Sequence, residues 1–319
     1  MTARPGVPVN PMVYCQRTET ARKMNQPLKH HYLPVFYLEK WARADGRVCR
    51  YYRPPGRPDG KTVTSWKSPE YTGYEEQLYT LHGAPDPQMV ETDFFSPADN
   101  DAAPILDHLI AHGPAGLGND ARGHWTRFIM SLQLRSPQSL AEVQTVVDGI
   151  VRENILRGDA EYQLTRQPDD PETIYDLAIQ QAPEQLANAH KAFLPGLIDH
   201  EIVGQLIINM RWAVMDLSAG KHTLLTADRP YTTSHGFGDP ACLLAVPLSP
   251  THLFVAGNDI NQLRRLAAQK AGDTVRNANN LVARLAVQSV YGSTDSHLAF
   301  IEKRLRHAGQ PAVPGVITY

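Results

Sequence analysis

The chain has 319 residues, 42% of them hydrophobic and 20% charged, a globular balance that excludes a disordered chain and can bury one or two cores. Its formal net charge is −2, so no global basic field draws it to nucleic acid or membrane, and polyanion binding requires a local patch. Cys15, Cys49 and Cys242 are too scattered for a disulfide framework or a thiolate zinc site, which fits a reducing, cytoplasmic setting.

Residues 1–26 contain Pro5, Pro8 and Pro11 with no periodicity and no apolar signal core, and read as a flexible lead-in. Met24, just ahead of the first structured motif, is a candidate for the true start. Residues 27–319 read as one globular domain. Residues 34–42 form a short helix with Pro34 in the first turn and Val35, Leu38 and Trp41 on one face. Residues 46–53 and 61–66 read as two strands around a Pro-Pro-Gly-Arg-Pro-Asp-Gly turn.

A helical block follows over about 88–217, with segments at 122–135, 138–156, 171–189 and 198–217 punctuated by Pro137 and Pro195-Gly196. The most apolar stretch, 202–217, is interrupted by Gln205, Asn209, Arg211 and Asp216, which argues against a membrane span. Residues 222–227, 241–246 and 252–256 are strand-like, and 259–288 is helical with a break at Gly272-Asp273. Strands and helices are segregated, so the expected class is α+β, a helical block packed on a small, mostly antiparallel sheet.

The densest polar signal is Lys29-His30-His31-Tyr32-Leu33-Pro34. Pro34 keeps Leu33 extended, and the dipole of the following helix favours neutral imidazoles, which suits a metal ligand or a general base. The structural alternative is a capped helix with a satisfied histidine. Consecutive side chains of an extended segment point oppositely. His31 is expected on the core side with Leu33, and His30 on the side of Tyr32. Asp228 ends a predicted strand in Thr-Ala-Asp-Arg-Pro, where it can ligate a cation, orient a histidine or merely make a turn.

Gln133 and Arg135 close a helix, and Arg135 either holds an anion or bonds local acids and carbonyls. Ser249 lies in a Pro-Leu-Ser-Pro turn without a nucleophile elbow, and Asn277, Asn279 and Asn280 suggest a polar network or a capped break. The i,i+4 pair His108/His112 lacks the glutamate of a zinc-protease helix, and no phosphate-binding loop is present. The hairpin is locally basic. Arg43, Arg47, Arg50, Arg53, Arg57, Lys61 and Lys67 interleave with Tyr51, Tyr52 and Trp66, a ribbon able to track phosphates or simply to face solvent.

Together these segments resemble a bacterial family of unknown function. The family's His-His-Tyr-x-Pro and Tyr-Leu motifs are matched by His30, His31, Tyr32, Pro34, Tyr37 and Leu38. Its Gln-x-x-Arg-x-Pro-like helix end is matched by Gln133, Arg135 and Pro137, with one residue fewer between Gln and Arg. Thr226, Asp228 and Pro230 answer to Thr-Ser-Asp-x-Pro, with Ala227 in place of Ser. Pro247–Pro250 and the helix near Asn277 complete a similarity reaching from Lys29 to Tyr291. The resemblance supports this choice of residues and implies no activity.

Two functions are compatible with these residues. In the first, a hydrolase, a metal-assisted phosphodiesterase acting on nucleic acid, uses His30, His31 and Asp228 to hold a divalent metal ion or activate water. Arg135 stabilises negative charge, while Tyr32, Gln133, Ser249, Asn277, Arg50 and Arg53 contact substrate. In the second, a non-enzymatic binding or sensor protein uses the same groups as a structural polar network.

Overall fold

Runs rich in β-branched and aromatic residues pair as antiparallel strands, and the 3.6-periodic runs between them form helices, so the fold is α+β as expected. The computed structural model describes residues 28–56 and 60–306; the expected lead-in over 1–26 lies outside them. The chain opens with β1 (Lys29–His31), α1 (Val35–Leu38), β2 (Val48–Tyr52), β3 (Val63–Lys67) and β4 (Tyr74–Glu76). The helical block comprises α2 (Ser96–His112), α3 (Asn119–Leu134), α4 (Pro137–Leu156), α5 (Asp159–Thr165), α6 (Ile174–Gln181), α7 (Pro183–Ala192), α8 (Leu194–Ile198) and α9 (Glu201–Asn209). Next come β5 (Arg211–Asp216), β6 (Thr226–Ala227), β7 (Thr232–Thr233), β8 (Leu243–Pro247) and β9 (His252–Gly257). The chain then runs through α10 (Ile260–Ala267), α11 (Ala271–Leu285), β10 (Ser289–Gly292) and α12 (Leu298–Glu302).

Every strand pair is antiparallel. β1 pairs with β4, and two four-stranded sheets run β3-β2-β10-β6 and β5-β9-β8-β7. The first of these joins distant parts of the chain, with Ser289 opposite Tyr52 and Gly292 opposite Cys49. No described helix is long and apolar enough to cross a membrane.

Three expected elements differ. The helix over 198–217 splits into α9 and β5, because the run from Arg211 pairs residue by residue with β9, from Arg211 opposite Gly257 to Asp216 opposite His252. The helix over 171–189 divides at Pro183, which opens α7 because it has no N–H to continue α6. The last long helix breaks at residues 268–270, and Gly272 lies inside α11.

The main core gathers Trp41, Trp125, Phe128 and Phe254, all fully buried. It also pins α1. Tyr37 Oη donates to the Pro247 carbonyl at 2.7 Å and bonds Thr226 Oγ1 at 2.9 Å, and Trp41 Nε1 donates to the Leu224 carbonyl at 3.0 Å. The segment preceding α1 is therefore anchored against the ends of β6 and β8. Just before α2 the backbone makes a π-helical turn, Val90–Phe95, an insertion that often re-aims side chains at functional sites.

Candidate acid–base site

The histidine pair divides, in the sense opposite to the expectation. His30 is fully buried: Nδ1 accepts from the Tyr79 N–H at 2.8 Å, Nε2 bonds Gln88 Oε1 at 2.8 Å, and the ring stacks on Tyr79. Gln88 in turn donates to Thr80 Oγ1. Both ring nitrogens are engaged within the fold, so His30 ties β1 to the segment around Tyr79 and Gln88.

Asp228 is likewise spent. It sits just past β6, where its carboxylate accepts from the N–H groups of Val287 (3.0 Å), Gln288 (2.5 Å) and Ser289 (3.3 Å) as the chain leaves α11 for β10. Burial pushes its carboxyl up while these three donors pull it down, and the net direction is upward. The expected metal set of His30, His31 and Asp228 does not assemble. Among the described residues, no group of three or more His, Cys, Asp or Glu is placed to hold a metal.

His31 has a different environment. Its ring interacts with the Glu70 backbone carbonyl, while Nε2 is buried and has no hydrogen-bond partner. The unpartnered Nε2 is the ring atom left to act as a base. Burial lowers the His31 pKa, the Glu70 carbonyl opposes that, Lys29 adds to the lowering, and Asp99 raises it against a smaller pull from Arg135. The ring is neutral at physiological pH. Lys29 lies over the rings of Tyr71 and Tyr74, and the His31 ring packs against Tyr74.

Near His31 lies a buried ion pair. Arg135, fully buried at the end of α3, makes a bidentate contact with Asp99 of α2 at 2.7 and 3.1 Å. It also donates from Nε to Ser131 Oγ and lies over the Phe95 and Phe128 rings. Asp99 retains 22% of its side chain at the surface, and burial raises its carboxyl against the pull of Arg135. The π-helical turn delivers Glu91 to the same pair. Glu91 Oε2 is buried without a partner, and burial pushes this carboxyl up to about 7, opposed by Arg135 and reinforced by Asp99. His31 and Glu91 thus each feel the same fixed ion pair, the one lowered and the other pushed up to about 7, a divergence suited to acid–base work.

Arg135 has no exposed surface, so it cannot touch a substrate; it sets the local field instead. Sequence reasoning missed Glu91 and Asp99. The π-helical turn carries Glu91 and α2 carries Asp99 toward Arg135, and nothing in their eight-residue spacing announces it.

The chain matches the family described as "Protein of unknown function (DUF4238)" over residues 29–296. It belongs to this family. No curated protein and no solved structure matches the chain. The family span contains every predicted site residue and all of the His31 cluster.

The remaining predicted contacts within that span serve several purposes. Tyr32 is buried; burial, Tyr291 and Asp228 push its phenol up and Arg50 pulls it down. Arg50 donates to Ser289 Oγ at 2.8 Å and covers the Tyr52 ring. Arg53 is an internal staple, bonding the carbonyls of Glu302 and Leu305 and pairing with the Glu302 carboxylate. With Arg43 over Trp66 and Tyr51 buried, the hairpin's rings are covered, and Arg57 lies outside the described residues. Arg50 and Arg53 therefore brace the sheet instead of presenting a phosphate-binding ribbon.

Ser249 caps its own turn, accepting from the N–H groups of Thr251 and His252 and bonding His252 Nδ1 at 3.0 Å. Gln133 is buried with neither amide atom bonded, on the same α3 face as Thr126 seven residues earlier, whose hydroxyl is also unpartnered. Asn277 is exposed on α11, where it lines a cleft, whereas Asn279 clamps α11 to the chain before β6, accepting from Leu225 N–H and donating to the Thr223 carbonyl at 2.8 Å each.

Proposed function

We propose that this protein is a hydrolase in which His31 Nε2 is the general base and Glu91 the candidate general acid, with Arg135 and Asp99 as positioning residues. The observation that carries this reading is His31 Nε2, buried without a hydrogen-bond partner near a fixed ion pair. In that role Nε2, buried in the resting structure as Glu91 Oε2 is, takes a proton from an entering water as the water oxygen attacks the substrate, and a protonated Glu91 gives a proton to the leaving group. Lys29 at the rim supplies a positive charge, while Arg135 is balanced by Asp99, and that cation makes phosphoesters, nucleic acid included, the first substrate class. No step is assigned to a divalent metal, because His30 and Asp228 commit their donor atoms to the fold. A cytoplasmic setting fits the unpaired, buried Cys49 and Cys242.

The test is a screen of phosphomonoesters, phosphodiesters, short nucleic acids and carboxylic esters against the wild type, His31→Ala and Glu91→Gln. Hydrolysis should fall at least about 100-fold in His31→Ala, the usual scale of a general base, with the melt unchanged. Hydrolysis that survives His31→Ala refutes the assignment. The saturation of His30, Asp228, Asn279 and Arg53 favours a second reading, a binding protein whose polar groups serve the fold. It predicts no turnover in the whole screen.

A further inference from the structure

A cleft of about 420 Å³ opens between the β5-β9-β8-β7 sheet and helices α10 and α11, apart from the His31 cluster. Its volume is within the range of small-molecule sites, which are mostly apolar with a few placed polar groups. Leu243, Ala245 and Leu253 line it from the sheet, and Leu266, Leu281 and Leu285 from the helices. Leu281 is 47% exposed, a large aliphatic side chain left without cover beside the cleft. Burying such surface against the apolar part of a ligand is favourable.

Arg229 is the charged residue of the lining. Its Nη2 donates to Ser139 Oγ at 3.1 Å and to Glu142 Oε2 at 2.6 Å on α4. Nε is buried without a partner, and Nη1 makes no hydrogen bond among the described residues. Arg229 has only 11% of its side chain exposed, whereas Glu142 has 44%. The guanidinium is thus held in place at the cleft with donors unused, and its counter-charge sits on the solvent side.

We propose that this cleft binds a small amphipathic carboxylate, an aliphatic or aryl acid whose apolar body lies along Leu281 and whose carboxylate meets Arg229. The charge complement and the apolar walls select that class over a neutral or cationic ligand. The site is independent of His31, so binding here and hydrolysis there stand or fall separately.

The experiment titrates the full chain with dodecanoic acid and with dodecanol by calorimetry at neutral pH, each below its aggregation limit. The acid should bind the wild type at least tenfold more tightly than the alcohol. Leu281→Glu, at a half-exposed position, should weaken the acid at least tenfold. Glu142→Gln, also on the surface, should free Arg229 and strengthen the acid several-fold while leaving the alcohol unchanged. Arg229→Met should erase the preference for acid over alcohol. No binding to the wild type, an equal affinity for acid and alcohol, or indifference to Leu281→Glu or Glu142→Gln overturns the proposal.

Discussion

Glu91→Gln separates the acid–base reading from a merely structural one. The Glu91 carboxyl is pushed from 4.5 up to about 7, first by burial and then by Asp99, against the pull of Arg135. At about 1.4 kcal/mol per pH unit that gap corresponds to roughly 3 kcal/mol of stability. The sign follows from which state keeps the proton. Below pH 4.5 both folded and unfolded chains carry it, and the contribution is fully present. Between 4.5 and about 7 the unfolded chain loses its proton first, so stability falls as pH rises, and above about 7 the contribution is gone. Glutamine carries no such proton and removes the slope. Relative to wild type the variant should therefore gain up to about 3 kcal/mol between pH 4.5 and pH 8. Urea denaturation of both proteins at half-unit steps measures that difference. His31, whose lowered pKa acts in the opposite direction, is common to both and cancels. A constant difference across this range would falsify the buried, protonated state of Glu91.

Four further outcomes follow. His30→Ala loses bonds to Gln88 and the Tyr79 N–H and should cost about 2–3 kcal/mol, whereas His31→Ala should cost under about 1 kcal/mol; paired thermal melts compare them, and a reversed order contradicts the division of the pair. Asp228→Ala leaves the Val287, Gln288 and Ser289 amides without their acceptor and should cost roughly 3 kcal/mol, and a near-neutral melt would count against the cap. Removing either member of the Asp99–Arg135 pair should cost about 3–5 kcal/mol, but Asp99→Leu with Arg135→Met should recover much of it, and purely additive losses in a double-mutant cycle would disprove the coupling. The imidazole of His31 should titrate below 6.5 by NMR, and a normal or raised midpoint would mean that the ring is solvated.

Sequence alone determined the α+β class, the hairpin of β2 and β3, and the helix boundary at Pro137. Local chemistry is sufficient for these, because periodicity and proline act within a few residues of where they are read. It did not determine that Arg211–Asp216 is a strand, since an apolar run preceding a polar break suits a helix until β9 supplies the partner. The site divides in the same way. His31 and Arg135 were visible as residues with chemistry to offer, but whether a histidine is occupied or available depends on atoms far along the chain. Gln88 and Tyr79 close His30, while the Glu70 carbonyl leaves His31 half open. Glu91 and Asp99 reach Arg135 only through the π-helical turn and the packing of α2 on α3, and Asp228 is claimed by amides some sixty residues away. Residue type sets what a side chain can do, and the tertiary structure decides which of its hydrogen-bonding atoms are left to do it.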